Sequence, residues 1–410
     1  MPPAKGGGME IYMEVHKTKV IISLTSYPAR INIVDQVIES LFKQKEQADE
    51  IILWLSKLEF PEKYENLPEK LIRLIGKNGF RIEWVNENIK SHKKYFYALQ
   101  DRKNIIITVD DDIYYSEWMI GTLMDSYRKH PHAISARKIH VITKNKEKIC
   151  PYLTWGSAVT EYIGLEKMDL CAVGVNGILY PPGVAKKRWF NLSLIMENAE
   201  NQDDLWLKFN EVIDGIPVVY TGLKEDDRII EGSQNSALYH KNLIGGDNDL
   251  SIEKLSDVFS KNYKLEYQQW FECLMQIEEF WHEKRRYYCS QLNNIISQWP
   301  ERDIYICGAG KYAHILYKFI KSCEKEKNIF SFLVTKDVQK GLEDKEIGIK
   351  VIEDLMVSEK FAVICGVGER YKKEFEEALT PYKMHEWADM DLLGIEKLLQ
   401  WENMESTPEL

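Results

Sequence analysis

Three consecutive aspartates, Asp110, Asp111 and Asp112, stand inside the run "NIIITVDDDIYY" (Asn104 to Tyr115). Adjacent carboxylates repel one another, so a fold gains no stability from them. Such oxygen ligands suit a hard divalent cation, Mg2+ or Mn2+, which takes one or two carboxylates together with phosphate oxygens. Side chains alternate across a strand end, so two of the three suffice for a metal site. A solvated acidic turn, with Asp112 capping a helix, is the plainer reading. A second acidic pair, Asp203 and Asp204, opens "DDLWLK" at the start of a helix whose apolar face includes Leu205 and Leu207 or Trp206. One aspartate there is an ordinary N-cap, and the second complements the helix dipole.

The elements around these residues alternate. "KVIISLTSYPAR" (Lys19 to Arg30) is an apolar strand ending in turn residues, and Val34, Val37, Ile38, Leu41 and Phe42 follow at helical spacing. "EIILWLS" is a second strand, "LPEKLIRLIGK" a short helix with its proline near the start, and "FRIEWV" a third strand. "SHKKYFYALQDR" reads as a helix with a serine N-cap. The aspartate run is the fourth strand, and the next helix turns Trp118, Met119, Leu123 and Tyr127 toward a core. Near-continuous apolar strands alternating with helices predict a mostly parallel sheet covered on both faces. Ligands of such sheets bind beyond the carboxyl ends of the strands, where the aspartates lie.

The chain has 410 residues, enough for two or three domains. Its net charge of −10 argues against a general affinity for nucleic acid. No apolar run approaches the roughly 18 residues of a membrane span. "MPPAKGGGMEIYMEVHK" has no apolar h-region and reads as a flexible lead rather than a secretory signal. Seven cysteines without metal-type spacing point to a reducing, cytoplasmic compartment and no disulfide framework. From about residue 261 to 299 apolar residues recur at helical spacing, and from Asp303 onward "DIYICGAGKYAHILYKFIK", "FSFLVTKD" and "FAVICGVGERYKKEFEEAL" read as strand, glycine turn and helix, repeated.

In chain order "SLTSYPARI", "SHKKYFYAL", "TVDDDIYY", "VNGILYPP" and "DDLWLK" together resemble bacterial GT-A glycosyltransferases that build surface polysaccharides, over roughly residues 19–250. The resemblance implies a DXD motif in which Asp110 and Asp112 hold Mn2+ or Mg2+ on the diphosphate of a nucleotide sugar, with Asp111 between them or substituting for one. It places Thr25 and Ser26 as donors to the nucleotide and Arg30 on phosphate or base; a plain β-turn around Pro28 explains the same residues. Lys93 and Lys94 occupy the place of a basic donor contact, or are two solvated helix lysines. Asn176 and Gly177 would border donor sugar and acceptor, or form a tight turn. Trp155 and Gly156 would line the same cleft, unless the tryptophan packs in a core. Asp204, with Asp203 next, would be the general base that takes the acceptor hydroxyl proton in a single, inverting displacement. His240 would be a further metal ligand, or structural.

The expected architecture is therefore α/β. A flexible lead (1–18) precedes a GT-A nucleotide-diphospho-sugar transferase domain (19–255). A helical linker (256–300), a C-terminal Rossmann-like domain (301–400) and a tail (401–410) follow. The expected activity is a metal-dependent, inverting transfer of hexosyl type, from a UDP-sugar to a glycan or lipid-linked acceptor. The expected setting is the cytoplasm, with peripheral association at the inner face of the membrane and a homodimer formed through the linker or C-terminal domain. Two other readings stay open: an NAD-linked oxidoreductase or epimerase using the "GAGKYA" loop, where Ala313 replaces the third glycine and Lys336 precedes Asp337, and a non-catalytic scaffold.

Overall fold

The computed structural model describes residues 18–405 apart from 158, 223–226, 232, 234–245, 301, 326–327, 336–346, 356–359 and 383–385. Packing divides the chain into two units. The first holds the chain up to Lys138, together with Gly164–Met168 and Ala172–Val258. The second holds Ile139–Ile163, Asp169–Cys171 and the chain from Phe259 onward.

The first unit is built on an eight-stranded sheet. Its strands β1 (Val20–Thr25), β2 (Glu50–Ser56), β3 (Phe80–Val85) and β4 (Ile105–Thr108) are parallel neighbours in the order β3–β2–β1–β4. Beyond β4 the antiparallel strand Ile178–Tyr180 is followed by Ile134–Ala136, Val218–Tyr220 and Glu166–Lys167. The sheet is therefore mixed but mostly parallel. Its strands are apolar because both faces are covered: Ile22, Leu24, Leu53 and Ile107 are fully buried, each worth about 1.5–3 kcal/mol of transfer free energy. The strand order reverses between β1 and β4, and at such a switch point the adjoining helices diverge and leave a crevice at the carboxyl ends. The turns "TSYPAR" and "DDD" leave the sheet side by side at that crevice.

Three local expectations give way. Trp118 is half exposed at the start of helix Met119–Lys129 rather than in the core. Ser91 caps nothing: helix Lys93–Phe96 is one turn long, entered from a 3-10 turn through His92. Asp112 leads into the short strand Ile113–Tyr114, not a helix. In each case tertiary packing overrides the local pattern.

In the second unit, helices Lys264–Cys273 and Ile277–Ser297 bury Trp270, Phe271, Phe280, Trp281, Tyr288 and Leu292. Here too lies a five-stranded parallel sheet, in the order Ile349–Val351, Ile329–Val334, Asp303–Cys307, Phe361–Cys365, Glu386–Ala388. Helices Lys311–Ser322 and Glu369–Leu379 follow its two glycine turns. No helix among the described residues is long and apolar enough to cross a membrane.

Candidate active site

Lys94 is the hinge of the site. Its carbonyl accepts from Ser23 Oγ at 2.5 Å, which pins the short helix to β1. Its ammonium lies 2.9 Å from Asp110 Oδ1 and 2.9 Å from Asp203 Oδ2. One buried cation thus joins the aspartate turn after β4 to the start of helix Asp203–Ile213. Burial works against its charge, yet Asp110, Asp203 and Asp204 hold it well above the usual lysine range. Lys93, the adjacent residue, points elsewhere: its Nζ meets Glu59 Oε2 at 2.6 Å and Asn88 Oδ1 at 3.2 Å.

Asp203 and Asp204 are the first two helical residues. Neither is the N-cap, a position taken by Gln202, which makes no side-chain cap bond. Asp203 is buried and Asp204 half-buried, and their environments differ. Burial would raise the Asp203 carboxyl, but Lys94 holds it below its ordinary value. Burial and the charge of Asp203 push Asp204 up to about 8, only partly offset by Lys94. Asp204 Oδ2 accepts from the Gly174 backbone N–H at 3.3 Å. A Cβ on Gly174 would sit 2.6 Å from Lys94 Nζ and 3.5 Å from both Asp110 Oδ1 and Asp204 Oδ1. Only a glycine lets this backbone pass so close to the charged groups. His92, fully buried, braces the helix approach: Nε2 donates to the Ala199 carbonyl at 2.7 Å and Nδ1 accepts from Tyr95 at 2.9 Å. Burial lowers its proton affinity, so it stays neutral.

The turns after β1 and β4 are tied together. Ser26 Oγ donates to Asp111 Oδ2 at 2.5 Å, and Arg30 reaches Asp111 Oδ1 at 2.8 Å and Asp112 Oδ2 at 3.1 Å. Burial raises the Asp111 carboxyl despite these partners. Burial and the charge of Asp110 push Asp112 up to about 6. Thr25 turns away, donating to the Trp54 carbonyl at 2.8 Å. Tyr115 Oη accepts from the Asp110 N–H at 2.8 Å and shapes the turn from below.

Asn176 and Gly177 support the turn rather than line open space. Asn176 Nδ2 donates to Asp227 Oδ2 at 2.9 Å, and Gly177 has φ +98° against Met119. Arg137 completes this network. Fully buried, it donates to Asp227 Oδ2 at 2.7 Å and to the Asn176 carbonyl at 3.1 Å. Asp227 Oδ1 accepts from Ser116 N at 2.8 Å, and Ile230 N donates to the Asp112 carbonyl at 2.9 Å. Sequence reading missed Arg137 and Asp227, because a lone arginine and a lone aspartate carry no pattern. Lys138, exposed at the end of strand Ile134–Ala136, is another omission; it is electrostatically coupled to Asp110 and Asp204.

Trp155 and Gly156 belong to the second unit. Trp155 is buried there, donating to the Cys150 carbonyl at 2.8 Å, and a Cβ on Gly156 would collide with the Phe280 ring. His240, Lys336 and Asp337 lie outside the described residues. The C-terminal glycines are accounted for by packing. Gly308 has φ +86°, and its Cβ would lie 2.5 Å from Val367 Cγ1; a Cβ on Gly366 would lie 2.6 Å from the Cys307 carbonyl oxygen.

Among the described residues no group of three His, Cys, Asp or Glu is arranged as a ready-made ligand set. The donor chemistry nonetheless fits a divalent cation that brings its own phosphate oxygens, since such ions need only one or two carboxylates. Five buried or half-buried carboxylates, Asp110, Asp111, Asp112, Asp203 and Asp204, face two committed cations, Arg30 and Lys94. The rise at Asp112 comes first from burial and then from the neighbouring charge of Asp110.

No family model matches the chain, and no curated protein matches it. Solved structures similar to it include glucosyl-3-phosphoglycerate synthase from Mycobacterium tuberculosis in complex with Mn2+, uridine diphosphate and glucosyl-3-phosphoglycerate. That match has 13% identity and a TM-score of 0.31, covering 60% of this chain and 80% of that one. The same enzyme with Mn2+, uridine diphosphate and phosphoglyceric acid matches at 12% identity and a TM-score of 0.34, covering 60% and 78%. Its complex with Mn2+, uridine-diphosphate-glucose and phosphoglyceric acid matches at 12% and 0.33, covering 57% and 80%.

Proposed function

We propose that this chain is a metal-dependent glycosyltransferase of GT-A type. It moves a sugar, with inversion, from a nucleotide-diphosphate sugar to a hydroxyl of a glycan or lipid-linked acceptor in bacterial polysaccharide synthesis. The observation that carries this reading is the Lys94 bridge, which holds a strand-end aspartate turn and a helix-start carboxylate pair in one cluster. The transferase domain is assigned to residues 19–255, of which Ile139–Ile163 and Asp169–Cys171 pack in the second unit, with the C-terminal Rossmann-like domain outside the chemistry.

Asp110 and Asp112 would hold the divalent ion. When bound, it supplies Lewis-acid stabilisation of the charge on the departing nucleoside diphosphate. Arg30 fixes the turn through Asp111 and Asp112. Asp204 takes the proton of the attacking hydroxyl at its carboxylate oxygen; a base near 8 matches a neutral or mildly alkaline working pH. Asp203, held ionised by Lys94, keeps that proton affinity high. UDP-sugars are the first donors to try.

The test is a panel of nucleotide sugars incubated with the protein and Mn2+, following nucleoside diphosphate release. One donor should be consumed, with activity lost on chelation and in Asp112→Ala. Asp204→Asn should bind that donor and fail to turn it over. Tight NAD binding with no nucleotide-sugar binding would overturn the reading in favour of an oxidoreductase.

A further inference from the structure

In the second unit two cysteines meet across helices. Cys289 lies in helix Ile277–Ser297, and Cys323 follows helix Lys311–Ser322. Their sulfurs are 2.8 Å apart. That is inside the roughly 3.5–4.0 Å at which even carbon atoms rest unbonded and less than an ångström beyond the about 2.05 Å of a disulfide. Both are half-buried, so a small oxidant reaches them. Another facing pair, Cys307 and Cys365, sits in register on adjacent strands and is buried, so it lacks that access.

The surroundings favour reaction at this pair. Arg285, one helical turn before Cys289 on the same face, donates to the Ser322 carbonyl at 3.1 Å and forms an ion pair with Glu402. Its guanidinium thereby stands beside both sulfurs, and a nearby cation stabilises the thiolate form that reacts. Burial and the Cys289 sulfur push the Cys323 thiol up to about 12, so Cys323 keeps its proton and the attack is written from Cys289.

We propose that Cys289 and Cys323 form an oxidation-sensitive pair that closes into an intrachain disulfide, tying helix Ile277–Ser297 to the end of helix Lys311–Ser322. With hydrogen peroxide as oxidant, the Cys289 thiolate attacks a peroxide oxygen, the O–O bond breaks, and the leaving hydroxide takes up a proton. Cys289 is then a sulfenic acid. The Cys323 sulfur displaces its hydroxyl, which leaves as water with the Cys323 proton, and the S–S bond forms. Two thiols have lost two hydrogens, and peroxide has become two waters. Under reducing conditions the pair rests as two thiols.

The test uses the full chain, treated with graded hydrogen peroxide, alkylated, digested without reduction and analysed by mass spectrometry. A peptide pair joined through Cys289 and Cys323 should appear, lighter by two hydrogens than the two thiol peptides together. Alkylation of both residues should fall to near zero, before that of Cys273, and return after dithiothreitol. Cys289→Ser should abolish the link and leave Cys323 open to alkylation. The same treatment in denaturant should lose the preference for this pair. Separate alkylation of both cysteines, links to other cysteines at equal yield, or a link between two chains would overturn the proposal.

Discussion

Lys94 and Asp203 form a 2.9 Å ion pair with side chains only 7% and 9% exposed, and this contact sorts two neighbouring carboxylates into different roles. Asp203 receives the lysine's charge and stays ionised. Asp204, half-buried and next along the helix, feels that fixed negative charge and holds its proton. Environments that push two titratable groups apart are a recurring signature of acid–base chemistry.

Lys94→Met removes the cation shared by Asp110 and Asp203. Taking one partner from a buried pair costs about 3–5 kcal/mol, because the charge left behind is uncompensated. Urea unfolding at pH 8 should show a loss of that size, and a smaller loss at pH 5, where the freed carboxyls accept protons. A loss below about 1 kcal/mol at pH 8, typical of a solvated surface pair, would refute the bridge.

Asp204 binds its proton more tightly folded, near 8, than unfolded, near 3.9. Between those values the native state carries more protons than the unfolded one, so this group makes stability fall as pH rises from about 4 to about 8. Asp204→Asn should flatten that segment of the stability profile. Turnover by the parent protein should rise with pH through about 8. If Asp204→Asn kept the same rising limb, another group would be the base.

Mn2+ should raise the melting temperature of the parent protein in a concentration-dependent way, since a ligand selective for the folded state stabilises it by about 2.7 kcal/mol at a hundred times its Kd. Asp110→Ala and Asp112→Ala should abolish the shift. An undiminished shift in both would place the cation elsewhere.

Arg137 and Asp227 are paired with side chains 0% and 1% exposed. Arg137→Met or Asp227→Asn alone should cost about 3–5 kcal/mol. Because the two act as one unit, the double variant should lose clearly less than the sum of the singles, as a double-mutant cycle reads. Additive losses would mean that the pair does not hold Ser116 and Asn176 together.

Much of the fold was legible from the residues alone. The strands 20–25, 50–56 and 105–108 are runs of adjacent apolar residues, strand 80–85 alternates apolar residues with Arg81 and Glu83, and the C-terminal strand–glycine–helix repeats carry their own turn chemistry. Both acidic motifs stood out because like charges side by side need a reason. The carboxyl-end placement followed from topology. Thr25, Lys93 and Asn176 were readable only as polar residues at plausible places; which way each turns was not.

That division has a physical cause. Hydrophobic pattern and turn propensity act between residues a few positions apart, so they are written locally. Charge coupling depends on distance through space, and folding alone sets it. Lys93 and Lys94 are adjacent and chemically identical, yet successive helical side chains diverge by about 100°. One therefore meets Glu59 and the other the acidic cluster. Asp203 and Asp204 part in the same way. Arg137 and Asp227, 90 residues apart, become one buried pair only when the chain closes on itself. The sequence by itself determined the sheet, the carboxylates and the end of the sheet where they gather; tertiary structure decided which of them keeps its proton, and why.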